Sequence, residues 1–195
     1  MMTTHVVQYS GGIGSWAAAQ RVIAEHGTAD VVLLFADTQV EDDDLYRFLG
    51  DAAEQIGVPV TVIADGRTPF EVFADTRFIG NSRLAPCSIH LKVRPCRAWL
   101  SQHTDHDDTI VYIGLDWSEP QRQPAITRGW APWTVRYPMC DPPYLTKQDM
   151  LDWCADLGIT PPRLYRLGFS HIFRAWWSCL DNRHGTSRPA LLTCC

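Results

Sequence analysis

The stretch Gln8-Tyr9-Ser10-Gly11-Gly12-Ile13-Gly14-Ser15 near the amino terminus holds residue types that can bind an anion through the main chain. Glycine tolerates positive φ and lets a ligand approach closely, so several backbone N–H groups can converge on one charge. His5-Val6-Val7 precedes the stretch and reads as a buried strand; Trp16 to His26 follows as a helix-forming run closed by Gly27. A strand-to-helix junction adds the partial positive charge of a helix N-terminus, and the chemistry this suits is the holding of phosphate. On these residues alone a flexible turn between strand and helix is the alternative. Two common phosphate loops are excluded: no lysine follows the glycines as the Walker pattern requires, and the spacing is not Gly-x-Gly-x-x-Gly.

A second group places Cys87, His90, Lys92, Arg94 and Arg97 within about three turns. On a helix, Cys87 and His90 share a face, as do His90, Arg94 and Arg97. Cations beside a cysteine can hold phosphate oxygens or lower the thiol pKa; a buried cysteine next to surface arginines is the plainer reading. Asp37-Thr38 closes an apolar run and could accept from a ribose, hold a metal or cap the next helix. The acidic run Glu41-Asp42-Asp43-Asp44 reads as a solvated helix start, which the dipole favours.

Positioning these groups requires alternating strands and helices. Residues 30–38 read as a strand. The next helix runs to about Ile56, with Leu45, Phe48, Leu49, Ala52 and Ile56 at core spacing. Residues 59–64 read as a third strand, and 65–84 as a less regular passage whose Phe70, Phe73 and Phe78 could line a pocket but are expected to pack on the core. Residues 109–119 read as a fourth strand running into a polar end. Thr146 caps a helix over residues 148–157. The expected fold is α/β and Rossmann-like, a mostly parallel sheet of about five strands with flanking helices.

Length and charge bound the rest. The 195 residues suit one α/β domain, 46% of them are hydrophobic, and the net charge is −5. That acidic balance makes broad binding to nucleic acid unexpected while leaving room for a local arginine patch, since only Lys92 and Lys147 among the 17 basic residues are lysines. No apolar run approaches membrane-spanning length and the start lacks the pattern of a secretory signal, which makes a cytoplasmic location the expectation. Seven cysteines without a Cys-x-x-Cys pair give no zinc ribbon. Trp130, Trp133, Trp176 and Trp177 would suit a homo-oligomer interface if exposed, and core positions otherwise.

Four motifs in order carry a family resemblance over roughly residues 5–171. The Ser10–Ser15 loop resembles the SGGxxS loop of the PP-loop ATP pyrophosphatases, the adenine-nucleotide α-hydrolase-like superfamily. Cys87-Ser88-Ile89-His90-Leu91-Lys92-Val93-Arg94-Pro95 is similar to the Cys-Ser-x-x-Leu-Lys-x-x-Pro motif of its phosphoadenosine-phosphosulfate reductase branch. Gly114-Leu115-Asp116-Trp117-Ser118-Glu119 resembles the Gly-x-Asp-x-x-Glu segment, with Arg122 following. Residues 137–147 and Leu164-Tyr165-Arg166-Leu167-Gly168-Phe169-Ser170-His171 resemble later elements.

The resemblance implies that ATP is split to AMP and pyrophosphate, with magnesium, to adenylylate an acceptor, a nucleic-acid base or small molecule. Sulfur transfer with Cys87 or Cys140 as carrier is its more specific form. It implies that Ser10, Gly11, Gly12, Gly14 and Ser15 take phosphates, Asp37 and Thr38 face ribose or magnesium, and Gly114 and Asp116 lie near the base. Lys92, Arg94 and Arg122 would then neutralise the leaving group. The alternatives are a sulfonucleotide reductase, disfavoured because no Glu-Cys-Gly-Leu-His motif is present, and a nucleotide-binding protein without turnover. Residues 172–195 depart from the family and form a divergent tail. Cys140 and Cys179 are weak metal candidates, and an iron–sulfur cluster finds no support in their spacing.

Overall fold

β1 (Thr4–Gln8) is buried along its middle and lies at the centre of a five-stranded sheet in the order β3-β2-β1-β4-β5. The other strands are β2 (Val31–Asp37), β3 (Val60–Ala64), β4 (Thr109–Ile113) and β5 (Thr134–Arg136). Every pairing is parallel. The architecture is therefore α/β and Rossmann-like, in a computed structural model that describes residues 3–79 and 86–169. The expected tail, 172–195, lies outside the described residues.

Strand residues alternate between two cores, as the twofold repeat of a strand requires. Val7, Leu33, Phe35 and Tyr112 face α1 (Ile13–His26), α2 (Asp43–Ile56) and α7 (Lys147–Asp156). Val6, Leu34, Ala36 and Val111 face α5 (Arg94–His103) and α6 (Gln123–Trp130). The chain runs outward from β1 to β3 with its helices on one face, then crosses back to β4 with them on the other. Right-handed crossovers demand that change of face. Ala17, Ala18 and Ala19 let α1 sit close on the sheet, and Trp16 meets Trp153 of α7 edge-on at 5.0 Å.

The five core positions expected of α2 are all buried, and Thr146 caps α7 with a reciprocal Asp149 contact. Other features were not legible. α3 (Pro69–Thr76) occupies the passage expected to be irregular, started by a Thr68–Glu71 capping box. Phe73 packs beside Val72, Cys87 and Leu91, but Phe70 and Phe78 are exposed rather than in the core. Trp130 and Trp133 are buried, so neither is an exposed interface residue. Between α4 (Pro86–Ser88) and α5, Ile89–Val93 forms a π-helical turn in which the Arg94 N–H donates to Ile89. Pro95 has no N–H to donate back to Leu91, which favours the wider turn there. No helix among the described residues is long and apolar enough to cross a membrane.

At the end of the sheet away from the glycine loop, His5 and His26 stack with ring centroids 3.9 Å apart. The Tyr112 hydroxyl lies 2.8 Å from His5 Nδ1 and 3.1 Å from His26 Nε2. The phenol has one hydrogen, so it donates to one imidazole and accepts from the other. Burial, then His26, holds the His5 pKa below its ordinary 6.5, with Arg136 adding to the effect and Asp30 and Glu25 opposing it. A histidine whose folded pKa is depressed contributes stability that is complete above the unfolded pKa and lost as pH falls through the folded one. Urea midpoints are therefore expected to fall on acidification below about pH 6.5, and to fall less steeply in His5→Gln. Equal slopes in both proteins would contradict this assignment.

Candidate functional site

The strand order reverses between β1 and β4, the point at which open α/β sheets form a crevice at their carboxyl ends. The glycine loop occupies that point. Gly11 has φ +75°, and a Cβ on it would lie 2.5 Å from Leu45 Cδ1. Gly12 is the N-cap of α1 and supplies no side chain to its first turn. The Ser15 hydroxyl donates to the Gly12 carbonyl at 2.8 Å, and the Ser10 hydroxyl to Ser15 Oγ at 3.2 Å. The helix start is thereby presented through its main chain.

Gly114, just past β4, packs directly on this loop. A Cβ there would lie 2.8 Å from the Gly14 carbonyl oxygen and 2.9 Å from Ser15 Cα, both main-chain atoms that cannot swing away. Asp116 follows, its Oδ1 accepting from the Ser118 N–H and hydroxyl at 2.8 and 2.6 Å. On the other flank, Asp37 Oδ1 accepts from the Gln39 N–H and the Tyr46 hydroxyl at 2.7 and 2.8 Å. Ser10, Gly11, Gly12, Gly14, Ser15, Gly114, Asp116 and Asp37 thus gather at the carboxyl ends of three adjacent strands.

Other expected site residues behave differently. Thr38 is fully buried and donates to Glu41 at 3.0 Å, so it supports this end of β2 instead of facing a ribose. The same Glu41 oxygen lies 3.3 Å from Lys92 Nζ, and the Glu41 side chain is 4% exposed. The acidic run is therefore not simply solvated: Glu41 is buried against Lys92, which the π turn directs towards β2. Arg122 pairs with Glu119 at 2.7 Å, and Arg94 meets His90 at 3.2 Å. Arg97 donates to the Gly129 and Ala131 carbonyls and lies over the Trp133 ring, a structural use.

The cysteines do not meet the expectation of an activated thiol. Cys87 is buried, and burial pushes its thiol pKa up despite Lys92 nearby. Cys140 is half-buried, also raised by burial, with its thiol towards the Leu115 carbonyl at 3.5 Å. Cys179 lies outside the described residues. Among the described residues the only three-member group of metal-ligating side chains is Asp105, His106 and Asp107, exposed and away from Cys140 in sequence.

Several contacts were invisible in the sequence. The Tyr165 hydroxyl, in α8 (Arg163–Arg166), accepts from the Ile13 N–H at 2.9 Å and so takes one donor of the α1 start. Arg163 ties α8 to α2 through Asp42 at 2.8 Å and through its N–H to Asp44. Arg21 of α1 donates to the carbonyls of Pro138, Asp141 and Pro143. An open cleft of about 490 Å³, lined by Gln123, Arg136, Tyr137, Cys140 and Asp141, adjoins that segment. The acidic run containing Asp42 and Asp44 was visible in the sequence; nothing pointed to its pairing with Arg163. Comparison of the chain with known protein families and with curated proteins returns no match.

The loop's position depends on Gly114. Gly114→Ala is expected to lower stability by about 1–3 kcal/mol in urea denaturation, since the added methyl meets fixed main chain. Gly50→Ala in α2, where a Cβ meets nothing within 4 Å, is expected to be neutral or stabilising. Equal behaviour of the two variants would count against the close approach.

Proposed function

We propose that the chain is a PP-loop type enzyme that cleaves ATP between its α- and β-phosphates, transferring the AMP moiety to an acceptor and releasing pyrophosphate. The observation that carries the reading is a glycine loop opening α1 at the point of strand-order reversal, with Gly114 packed on it. Backbone N–H groups of residues 10–14 would hold the phosphates, assisted by the Ser10 hydroxyl. An acceptor nucleophile would attack the α-phosphorus, its bond forming as the P–O bond to the β-phosphate breaks and pyrophosphate departs. Catalysis of this kind rests on positioning and charge stabilisation, with little covalent chemistry for the protein itself.

Asp37 and Asp116 offer the carboxylate oxygens that suit magnesium, and the ion would neutralise phosphate charge. Lys92 and Arg122 are the cations proposed to meet the leaving pyrophosphate, and Arg94 a further phosphate contact. The cleft beside Cys140 would admit the acceptor. Sulfur transfer through Cys87 is the weaker form, because its thiol is buried and raised. One observation favours a second reading, a nucleotide-binding protein without turnover: Lys92 and Arg122 each pair with a carboxylate.

The test is ATP binding and pyrophosphate release with magnesium, in the wild type and in Ser10→Ala/Gly12→Val. Binding weakened at least about tenfold in the variant, with pyrophosphate released by the wild type, is the expected result. Binding with ATP returned intact would favour the second reading. Absence of binding would remove both.

A further inference from the structure

Tryptophan and tyrosine normally bury most of their surface, yet Trp117 is 40% and Tyr144 57% exposed at the carboxyl end of β4. Their ring centroids are 5.6 Å apart with planes tilted by 41°. Both are held in place. The Trp117 indole N–H donates to the Leu145 carbonyl at 3.0 Å, and Leu145 packs against the core. Asp116 fixes the turn that carries Trp117 through its two contacts with Ser118. Tyr144 lies two residues before Thr146, which caps α7. A pair of rings already ordered in this way loses little entropy when a third ring joins it.

The pair also lies close to the glycine loop. Gly114 touches Gly14 and Ser15, and Trp117 is three residues further along, at most roughly 11 Å of extended chain. From the other direction, Lys147 Nζ lies 5.9 Å from the centre of the Tyr165 ring, whose hydroxyl accepts from Ile13. The segment bearing Tyr144 is thus linked to the same helix start.

We propose that Trp117 and Tyr144 form the stacking surface for the purine base of the nucleotide whose phosphates the glycine loop takes. The proposal rests on the phosphate-binding reading above. Stacking on an aromatic face is strong and tolerant, because every base offers a π surface. The pair would therefore select a nucleotide over a bare polyphosphate and discriminate weakly between adenine and guanine.

The test compares ATP with inorganic tripolyphosphate, both with magnesium, by calorimetric titration of the wild type, Trp117→Ala, Tyr144→Ala and Trp117→Phe. Each alanine variant is expected to lose about 5- to 150-fold in ATP affinity while keeping its tripolyphosphate affinity, and Trp117→Phe to recover most of the loss. Retained tripolyphosphate binding also reports that the loop is folded. Unchanged ATP affinity in both alanine variants would overturn the stacking surface and leave the phosphate reading standing. Equal loss of both ligands would overturn it too, by making the rings merely structural. If the wild type binds neither ligand, the stacking proposal and the phosphate reading fall together.

Discussion

The approach of two main chains, Gly114 against Gly14 and Ser15, is the constraint on which the carboxyl end of the sheet depends. A side chain at Gly114 would hold α1 away from β4 and open the crevice where the strand order reverses. With no Cβ at Gly114 the loop descends onto the strand end, and the first turn of α1 faces the crevice with its main chain. The rest of α1 is built to hold that seat. Three alanines bring it close to the sheet, Trp16 locks against Trp153, and Arg21 gathers three carbonyls of the segment after β5. Tyr165 closes the arrangement from a point 152 residues away.

Charge is organised around this end of the molecule as well. The α2 start carries consecutive acids, but they do not simply face water: Asp42 and Asp44 bind Arg163, Asp44 also binds Arg47, and Glu41 is buried against Lys92. The network holds α8 on α2 and keeps Tyr165 over the glycine loop. The Arg47 contact lowers the Asp44 pKa, with Arg163 contributing. Its share of stability is present above the ordinary carboxylate range and lost as pH falls through the depressed value, the same direction as the His5 effect. Surface ion pairs of this sort are individually weak, so their role here is chiefly to fix register.

What the sequence discloses is what repeats locally. Continuous apolar runs revealed β1 to β4, and the spacing of Leu45, Phe48, Leu49, Ala52 and Ile56 revealed α2, because burial on one face leaves a period in the chain. β5 has three residues, Thr134–Arg136, too few to show any period. The glycine loop was legible as a strand-to-helix turn, since its residue types dictate that geometry. Glu41 was misread because burial of an acid depends on a cation 51 residues away. Cys87 stood between two readings for a related reason: nearby cations suggest a lowered pKa, but burial dominates and only the packed structure reveals it. Tyr165 likewise takes its role from a contact 152 residues away, and Thr38 from its burial in the packed structure.

The central claim is that main-chain N–H groups of the glycine loop receive phosphate. Backbone amide chemical shifts followed by nitrogen-15 NMR during titration with magnesium-ATP test it most directly. The account predicts saturable shifts at Gly11, Gly12, Ile13 and Gly14, with Ile13 among them because its donor now serves Tyr165. Saturating ATP that leaves these resonances in place, or that moves only residues distant from the carboxyl end of the sheet, would contradict it.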